Sequence, residues 1–389
     1  MKRILTVIAS AAFVVAAYGA EGNSIKYGPW VTEAGDNSFS VVFKTEADCM
    51  VWVETAPDDG SAFEAAPRQA FYETRYGRRF CGTMHNIKVE GLEPGKAYRY
   101  RIYSQSVVDA SQDNHVLYSE ARVVGNVNGR NFKARTFDKS RKSCRFAMVN
   151  DIHANVPRYR SLLEGVKPAE YDFLLLNGDI VNGTSNIDTS LRYTFDVISD
   201  KVANMPVVFA RGNHEGRGMD WHLLLQATPT PTGEFYFSFR DGPVAFIVLD
   251  GGEDKPDTDV EYAGHARYDE YRAEELAWLE NEVQKPEFVS APYKVCIIHI
   301  PTINDEGSWY TQRWLHDNFL PVLNNAGIQL MLSGHHHKFF VREAGSCGNI
   351  FPIISNSSVE RLDVNVSEGR GFDLKFFNTE GKQVRALHY

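Results

Sequence analysis

Residues able to bind a metal ion follow five separate apolar runs in the second part of the sequence. They are Asp151 and His153 after the run 144–149, Asp179 after 171–177, Asn213 and His214 after 205–211, His299 after 293–298, and His335, His336 and His337 after 328–333. Each run has few charges and many bulky or β-branched side chains, which is typical of buried strands. The sequence therefore places carboxylate, amide and imidazole groups at the ends of five strands.

The segments between these runs predict amphipathic helices, because they repeat apolar residues at spacings of three and four. These segments are 156–166, 186–204, 268–284 and 311–327. Strands that alternate with helices predict an α/β domain, which we place at residues 144–389. In α/β sheets, ligands bind in the crevice outside the carboxyl ends of the strands, so the five strand ends are expected to converge.

Convergent carboxylates and imidazoles need a positive centre, because desolvating several anions together is costly. The set combines aspartate, histidine and asparagine without cysteine, which suits divalent or trivalent ions such as Zn, Mn, Fe or Co. Seven ligands exceed what one ion at an open catalytic site takes from a protein. The sequence therefore predicts two metal ions, about 3.5 to 4 Å apart, with a carboxylate between them.

The histidine triplet separates into two ligands and one neighbour if the chain stays extended beyond the strand. Alternate side chains of an extended chain point to opposite faces. His335 and His337 then share one direction, and His336 takes the other. The same spacing sets Asp151 and His153 on one side and turns the intervening isoleucine toward the core.

The N-terminal part of the chain has a different pattern. Residues 1–20 contain two basic residues, an apolar stretch and then small residues, which predicts a secretory signal peptide cleaved after Gly19 or Ala20. We therefore expect an exported protein, periplasmic or secreted, and an uncleaved anchor helix is the alternative. Residues 25–136 alternate apolar and polar side chains between turns, which predicts an all-β sandwich of the immunoglobulin type. The segment GLEPGKAYRYRI at 91–102 resembles a fibronectin type III-like sandwich, and the polar residues 137–143 predict a linker.

Composition limits the partners of the chain. The balance of 41 basic against 50 acidic residues gives a net charge of -9, which excludes broad electrostatic binding to nucleic acid or anionic lipid. No run of about 18 apolar residues follows the signal, so no membrane span is predicted. Of the five cysteines, Cys144 and Cys296 are predicted core residues. Cys49 and Cys81 are either bridged or separate, and Cys347 has no CxxC spacing to the others.

The order DxH at 151–153, GD at 178–179, GNHE at 212–215, a single histidine at 299 and GHxH at 334–337 resembles the calcineurin-like metallophosphoesterase superfamily. With the N-terminal sandwich, the chain is similar in architecture to the purple acid phosphatases. The resemblance implies a four-layer α/β/β/α catalytic domain. It also implies two ligand sets that share Asp179: Asp151, His153, Asp179 and His337 for one ion, and Asp179, Asn213, His299 and His335 for the other.

Two positions depart from the purple acid phosphatase pattern. That family has glycine where this chain has His153, and a metal-binding tyrosine where this chain has Asn182. The tyrosinate that gives those enzymes their colour is therefore missing. We expect a colourless enzyme with a more generic ligand set, for which neither an Fe(III)-containing pair nor an acid pH optimum is implied.

Such a centre predicts hydrolysis of phosphate monoesters or diesters by a metal-activated hydroxide. His214 resembles the family's histidine that is not a ligand, which hydrogen-bonds the phosphate or protonates the leaving oxygen. Asn155 and Asn182 either contact the phosphate, orient a histidine or cap loops. Arg217 either contacts the leaving group or is a solvated loop residue. The aromatic segment 309–314 either lines the pocket or belongs to the core.

Net acidity disfavours a nonspecific nuclease, so small phosphorylated metabolites or nucleotides are the expected substrates. The alternative function is a non-catalytic surface or carbohydrate-binding protein that uses the β-sandwich, with a degenerate hydrolase domain as scaffold. A degenerate domain should have lost ligands, whereas every motif residue is present in this chain. The sequence therefore favours the enzyme.

Overall fold

Three large β-sheets and a short two-stranded hairpin organise the chain in the computed structural model, which describes residues 24–124 and 131–389. The predicted signal peptide at 1–20 lies outside the described residues. The strands are β1 (Ile25–Thr32), β2 (Ser38–Pro57), β3 (Ala70–Tyr72), β4 (Thr74–Arg75), β5 (Arg78–Arg79), β6 (Cys81–Glu90), β7 (Ala97–Gln112), β8 (His115–Tyr118), β9 (Arg122–Val124), β10 (Phe132–Arg135), β11 (Ser143–Val149), β12 (Phe173–Asn177), β13 (Val207–Ala210), β14 (Phe237–Asp241), β15 (Val244–Leu249), β16 (Tyr293–Ile298), β17 (Leu330–Ser333), β18 (Phe340–Arg342), β19 (Ile353–Ser355), β20 (Glu360–Ser367), β21 (Gly371–Asn378) and β22 (Gln383–His388).

The helices lie within the C-terminal part of the described chain. They are α1 (Val156–Leu163), α2 (Ile187–Thr194), α3 (Ser199–Val202), α4 (Leu224–Ala227), α5 (Tyr268–Glu282), α6 (Pro286–Val289) and α7 (Tyr310–Ala326). Short 3₁₀ helices occur at Pro168–Glu170, Asp196–Ile198, His214–Gly216, Trp221–Leu223 and Val260–Tyr262. Among the described residues, no helix combines the length and the apolar composition that crossing a membrane requires.

The N-terminal sheet is antiparallel and encloses its own core. Its strand β2 is 20 residues long and pairs with β1 and β6 along its first part and with β7 along its second. Phe39, Val41 and Phe43 alternate along β2 and are fully buried, as expected for one face of a sheet. The strands lie within the predicted all-β region 25–136, and the resemblance to a fibronectin type III-like sandwich stays a prediction.

Cys49 and Cys81 lie on neighbouring strands of this sheet, and within the described residues their sulfur atoms form no disulfide bond. The register sets Cys49 opposite Gly82 and Cys81 opposite Met50. Since residues directly opposite each other share a face and adjacent residues alternate, the two cysteines point to opposite faces of the sheet. The two predicted core cysteines, Cys144 and Cys296, are fully buried.

The C-terminal part of the chain contains two six-stranded mixed sheets. One has the order β13-β12-β11-β20-β21-β22, in which β11, β12 and β13 are parallel. The other has the order β14-β15-β16-β17-β19-β18, in which β15, β16, β17 and β19 are parallel. These parallel strands and the helices between them form the predicted α/β domain. The five apolar runs that precede the candidate ligands correspond to β11, β12, β13, β16 and β17.

Alternating residues of each strand divide the core into layers. Phe146 and Met148 of β11 pack between the sheets against Val295 and Ile297 of β16. The other face of the first sheet packs against α1 and α2, and the other face of the second packs against α5 and α7. The predicted helical segments correspond to α1, to α2 with α3, to α5 and to α7. These elements hold the five strand ends rigidly at one edge.

The N-terminal sheet packs against the helical layer of the first C-terminal sheet. Trp30 stacks on Phe195 with ring centroids 4.5 Å apart, and its Nε1 donates to the Ala227 carbonyl at 2.8 Å. Phe137, in the predicted linker 137–143, is almost fully buried between Phe173 and Phe239. Phe137 therefore anchors the start of this segment in the fold, whereas Lys139, Ser140 and Lys142 are exposed. The exact domain boundaries stay a prediction.

Candidate metal centre

Five parallel strands deliver the candidate ligands to one edge of the two packed sheets. In the first sheet, β11, β12 and β13 are neighbours and lead to Asp151, Asp179 and Asn213. In the second sheet, β16 and β17 are neighbours and lead to His299 and His335. The strand ends meet because the sheets pack face to face with the same orientation of their parallel strands.

Asp151, His153, Asp179 and His337 form one compact group, with one ligand atom from each lying within 4.8 Å of all the others. The Nε2 atoms of His153 and His337 are 3.2 Å apart. His337 Nε2 is 3.3 Å from Asp151 Oδ1, and His153 Nε2 is 3.8 Å from Asp179 Oδ2. The structure therefore brings together the first predicted ligand set.

Asp179, His299 and His335 form a second group with the same spacing. His299 Nε2 lies 3.2 Å from Asp179 Oδ2. Asn213 joins this group, because its Oδ1 is 3.1 Å from His335 Nδ1. Asp179 belongs to both groups, as the resemblance implies for a bridging carboxylate. The roles of these residues as metal ligands stay a prediction.

The donor atoms fit a metal ion because two of them are buried without a hydrogen-bond partner. Asp151 Oδ1 and His299 Nε2 are both orphaned in this way within the described residues. The second atom of each side chain is engaged: Asp151 Oδ2 accepts from His335 N at 3.0 Å, and His299 Nδ1 donates to the Asn177 carbonyl at 2.7 Å. With Nδ1 donating to this carbonyl, Nε2 is the ring atom that faces the cluster, where a metal ion would take the place of its proton. Buried unsatisfied donor atoms of this kind are costly unless an ion binds them.

Electrostatics of the cluster are dominated by proximity and burial. Burial opposes the charged form of His299, but the carboxylates of Asp179 and Asp151 outweigh it and raise the His299 pKa to about 10. Burial also opposes ionisation of Asp179, yet the nearby His299 holds the Asp179 pKa below its usual range. Burial and the His299 charge lower the pKa of His335 to about 3. Such opposed shifts among touching groups are typical of functional sites.

The backbone at the ligands adopts the left-handed conformation that L-residues rarely adopt. The φ angles are +51° at Asp151, +51° at His153, +54° at Asp179, +70° at His335 and +58° at His337. Two ligand-bearing turns therefore alternate between left-handed and ordinary residues, and neither is the extended chain that the sequence argument assumed. His335 and His337 still share one side, and the isoleucine between Asp151 and His153 is fully buried, as expected.

Glycines allow the ligand turns to approach one another closely. A Cβ atom on Gly178 would lie 2.4 Å from His299 Nδ1, and one on Gly212 would lie 2.3 Å from Asp179 Oδ1. Real side chains do not tolerate such distances, so both positions require glycine.

Glu215 supports the ligand-bearing turns by accepting hydrogen bonds from their backbone, and the sequence argument did not single it out. Its Oε2 accepts from Asp179 N at 2.8 Å and Gly212 N at 3.0 Å, while its Oε1 accepts from Ile180 N at 2.7 Å and Val181 N at 3.2 Å. Burial and the Asp179 charge raise the Glu215 pKa, and the four N–H donors favour the carboxylate. The only sequence signal was its place at the end of GNHE.

His214 lies beside the cluster without joining either group. Its Nδ1 donates to the Asn182 carbonyl at 3.2 Å, and its Nε2 is 3.9 Å from Asp179 Oδ2. Its backbone N–H donates to Asp179 Oδ1 at 2.9 Å. Arg217 Nη1 is 3.0 Å from His214 Nε2, and its side chain is 37% exposed, so the arginine lies beside the site with part of its surface in solvent.

The other predicted contact residues divide between two roles. Asn182 Oδ1 accepts from His153 Nδ1 at 2.9 Å, which directs His153 Nε2 into the cluster. Asn155 Oδ1 caps α1 by accepting from Arg158 N at 3.1 Å. Asn182 thus orients a histidine and Asn155 caps a helix, and contacts of either with a substrate stay a prediction.

Three further interactions near the site were not visible in the sequence. Glu253, after β15, accepts hydrogen bonds from Arg217 Nε at 2.5 Å and from Arg217 Nη2 at 2.9 Å. Gln312 of α7 donates through Nε2 to His336 Nε2 at 2.7 Å. His336 therefore faces away from the ligands and anchors a helix. These partners come from distant segments, so no local motif identifies them.

A separate buried group lies at the opposite end of β11, where Cys144, Asp172 and Asp241 approach within 4.8 Å. Arg141 and the Arg145 N–H bind Asp172. Asp241 Oδ1 accepts from Asp138 N at 3.1 Å, while its Oδ2 has no hydrogen-bond partner among the described residues. Burial and the Asp172 charge raise the Asp241 pKa. Since the Asp172 carboxylate is already bound by arginine, we interpret this group as structural.

Comparison with known proteins places the cluster in a family. The calcineurin-like phosphoesterase model matches residues 144–339, about half of the chain. Purple acid phosphatase 23 of Arabidopsis thaliana is 21% identical over 330 residues, covering 77% of this chain and 69% of its own. The serine/threonine-protein phosphatase CPPED1 of Danio rerio is 26% identical over 204 residues, covering 48% and 59%.

Among solved structures, GAP50, the anchor in the inner membrane complex of Plasmodium, aligns with a TM-score of 0.49 at 14% identity, over 64% of this chain and 89% of its own. The chain thus spans between about three fifths and seven tenths of the two curated relatives. The matched family region contains every residue of the cluster. The chain belongs to the calcineurin-like phosphoesterase family and is a metal-dependent phosphoric ester hydrolase.

Proposed function

We propose that the chain is an exported phosphoesterase that uses two metal ions to hydrolyse phosphate monoesters or diesters. The observation that carries this proposal is the pair of ligand groups sharing Asp179. One group would be Asp151, His153, Asp179 and His337, and the other Asp179, Asn213, His299 and His335. Two bound ions would supply Lewis acidity and lower the pKa of a water molecule. Zn, Mn, Fe and Co all suit these nitrogen and oxygen donors.

The protein's own groups would then orient the reaction. Asn182 fixes His153, the Asn177 carbonyl fixes His299, and Asn213 contacts His335, so the imidazoles are held before any ligand arrives. Preorganised ligands of this kind need little rearrangement during the reaction.

His214 is proposed as the residue that hydrogen-bonds the phosphate or holds the proton for the leaving oxygen. Its Nδ1 donates to the Asn182 carbonyl, whereas its Nε2 lies 3.0 Å from Arg217 Nη1 and 3.9 Å from Asp179 Oδ2, so Nε2 is the ring atom nearest the cluster. A general acid in this position contributes roughly 10²- to 10⁴-fold to the rate. His214→Ala should therefore slow hydrolysis most for an ester with a poor leaving group.

Small phosphorylated molecules are the proposed substrates. The net charge of -9 disfavours long polyanions, because charge repulsion opposes their approach. The complete ligand groups argue against a degenerate scaffold. Export is proposed from the signal-like residues 1–20 alone, and N-terminal sequencing of protein recovered outside the cytoplasm should begin at residue 20 or 21.

The decisive experiment combines elemental analysis with a panel of phosphomonoesters and phosphodiesters. We expect about two metal ions per chain, activity lost on chelation and restored by a transition metal, and loss of both ions in Asp179→Asn. His336→Ala is the matched control, because His336 is adjacent to two proposed ligands and faces Gln312. Full activity of Asp179→Asn, or activity that survives complete removal of metal, would contradict the proposal.

A further inference from the structure

An exposed tryptophan lies at the mouth of the proposed metal site. Trp309 is 45% exposed, and its ring centroid is 6.5 Å from that of His335. A large aromatic side chain that is exposed to water loses little free energy when a flat partner binds to it, and it gains contact area. Trp309 is therefore placed to contact whatever part of a substrate extends beyond the phosphate.

The position of Trp309 is fixed by hydrogen bonds that lead back to the histidine triplet. Trp309 N donates to Gln312 Oε1 at 2.9 Å. Gln312 is fully buried, and its Nε2 donates to His336 Nε2. The start of α7 is thus attached to the same turn that carries His335 and His337. These bonds hold the Trp309 backbone close to the cluster, and the ring lies against His335.

A second connection ties the tryptophan to the His214 side of the site. Glu253 binds Arg217 through its carboxylate, and its backbone carbonyl accepts from Thr311 Oγ1 at 2.6 Å. Arg217 in turn contacts His214. One buried residue therefore anchors both the arginine beside His214 and the first turn of α7. Trp309 and His214 consequently belong to the same mouth, where a leaving group would emerge.

We propose that Trp309 is a specificity-determining residue that stacks on an aromatic ring of the leaving group, so the preferred substrates are nucleotides or related esters with a flat ring. This inference rests on the proposed phosphoesterase function. Base stacking on an aromatic side chain favours binding by about 5- to 150-fold and tolerates every base, because each base has a π-face.

The test compares two esters with the same primary alcohol as leaving group, adenosine 5′-monophosphate and ribose 5-phosphate. They differ at the anomeric carbon, which carries the base in the nucleotide and a hydroxyl group in ribose 5-phosphate, so the reacting phosphate ester is the same. Trp309→Ala should lower kcat/KM for the nucleotide by about 5- to 150-fold, mainly through KM, and leave ribose 5-phosphate within about twofold. In Trp309→Phe, kcat/KM for the nucleotide should recover most of the value that is lost in Trp309→Ala. Trp221→Ala is the control, since Trp221 is also 45% exposed and its ring contacts His222.

A binding measurement gives a readout that does not depend on turnover. The 5′-phosphonate analogue of adenosine monophosphate has a C–P bond that is not hydrolysed, and stacking should quench the fluorescence of the metal-loaded protein. The quenching should disappear in Trp309→Phe, remain in Trp221→Phe, and be absent with methylphosphonate.

The outcomes separate the two proposals. If Trp309→Ala lowers kcat/KM equally for both esters, or for neither, the stacking inference is wrong, while the proposed hydrolysis still stands. Quenching that is unchanged in Trp309→Phe overturns it as well. If the wild-type protein hydrolyses no ester with any metal, the proposed function fails, and the fluorescence titration alone then decides whether a ring binds Trp309.

Discussion

Glu215→Gln should separate the support of the metal turns from the ligands themselves. The carboxylate accepts four backbone N–H groups, two on each oxygen, from the turns that carry Asp179 and Gly212. Glutamine has nearly the same shape but only one oxygen. Its amide nitrogen would face two N–H donors, so two hydrogen bonds are lost and two buried donors remain unsatisfied.

The expected loss follows from these two bonds. A hydrogen bond to a charged acceptor contributes about 1.5 to 3 kcal/mol, so two of them give about 3 to 6 kcal/mol. We expect a loss near the lower end of this range. Burial and the Asp179 charge raise the Glu215 pKa, so part of the hydrogen-bond energy offsets the cost of ionising Glu215. The Asp179 backbone should also shift, which weakens both ligand groups.

Urea unfolding of the metal-free protein at neutral pH measures the first effect, and metal titration measures the second. Glu280→Gln is the matched control, because it makes the same chemical change on the exposed face of α5. The reasoning is refuted if Glu215→Gln lowers the free energy of unfolding by less than about 1 kcal/mol relative to the control and still binds metal normally.

Three further changes test separate parts of the structure. His336→Ala should keep its metal ions by elemental analysis while His337→Ala does not, and metal loss in both would show that His336 is a ligand. Asn182→Ala should weaken metal binding about 10- to 100-fold in chelator competition, because His153 loses the acceptor that orients it; unchanged affinity would contradict this role. The pKa of Asp241 in the folded chain lies above its value near 3.9 in the unfolded chain, so between these two pKa values the folded chain binds more protons than the unfolded chain. The free energy of unfolding therefore falls as pH rises through this window. Asp241→Asn should therefore raise Tm more at pH 8 than at pH 4, and an equal shift at both would exclude that titration.

Residue types and strand order were sufficient to predict that the candidate ligands converge, whereas their division into two groups came from the family resemblance. Asp151, Asp179, Asn213 and His299 each follow a buried strand by one to three residues, and parallel strands end at a common edge. The antiparallel strands β20, β21 and β22 were not predicted, because their alternating pattern does not identify the sheet they join. Sheet membership depends on pairing between distant segments, which periodicity within one segment does not encode.

The supporting contacts were outside the reach of the sequence for a similar reason. Glu215, Glu253 and Gln312 act on groups that loops bring together, and each looks like an ordinary polar residue in its own segment. Arg217 illustrates the difference: a loop arginine predicts solvation, yet the buried Glu253 holds it beside His214. The role of Arg217 depends on its partner Glu253, which only the folded structure identifies.

The left-handed ligand residues explain why a wrong backbone assumption still selected two histidines that the structure brings to the cluster. Alternation in an extended chain and alternation between left-handed and ordinary φ both return the side chain to the same side after two residues. The left-handed conformation costs about 1 to 2 kcal/mol per residue, so the protein must hold it. It does so with its own bonds: His153 N donates to the Asp179 carbonyl at 2.9 Å, Asp179 N to Glu215, and His335 N to Asp151. Because each of these bonds joins two groups of the chain itself, folding should shape the site that the metal enters.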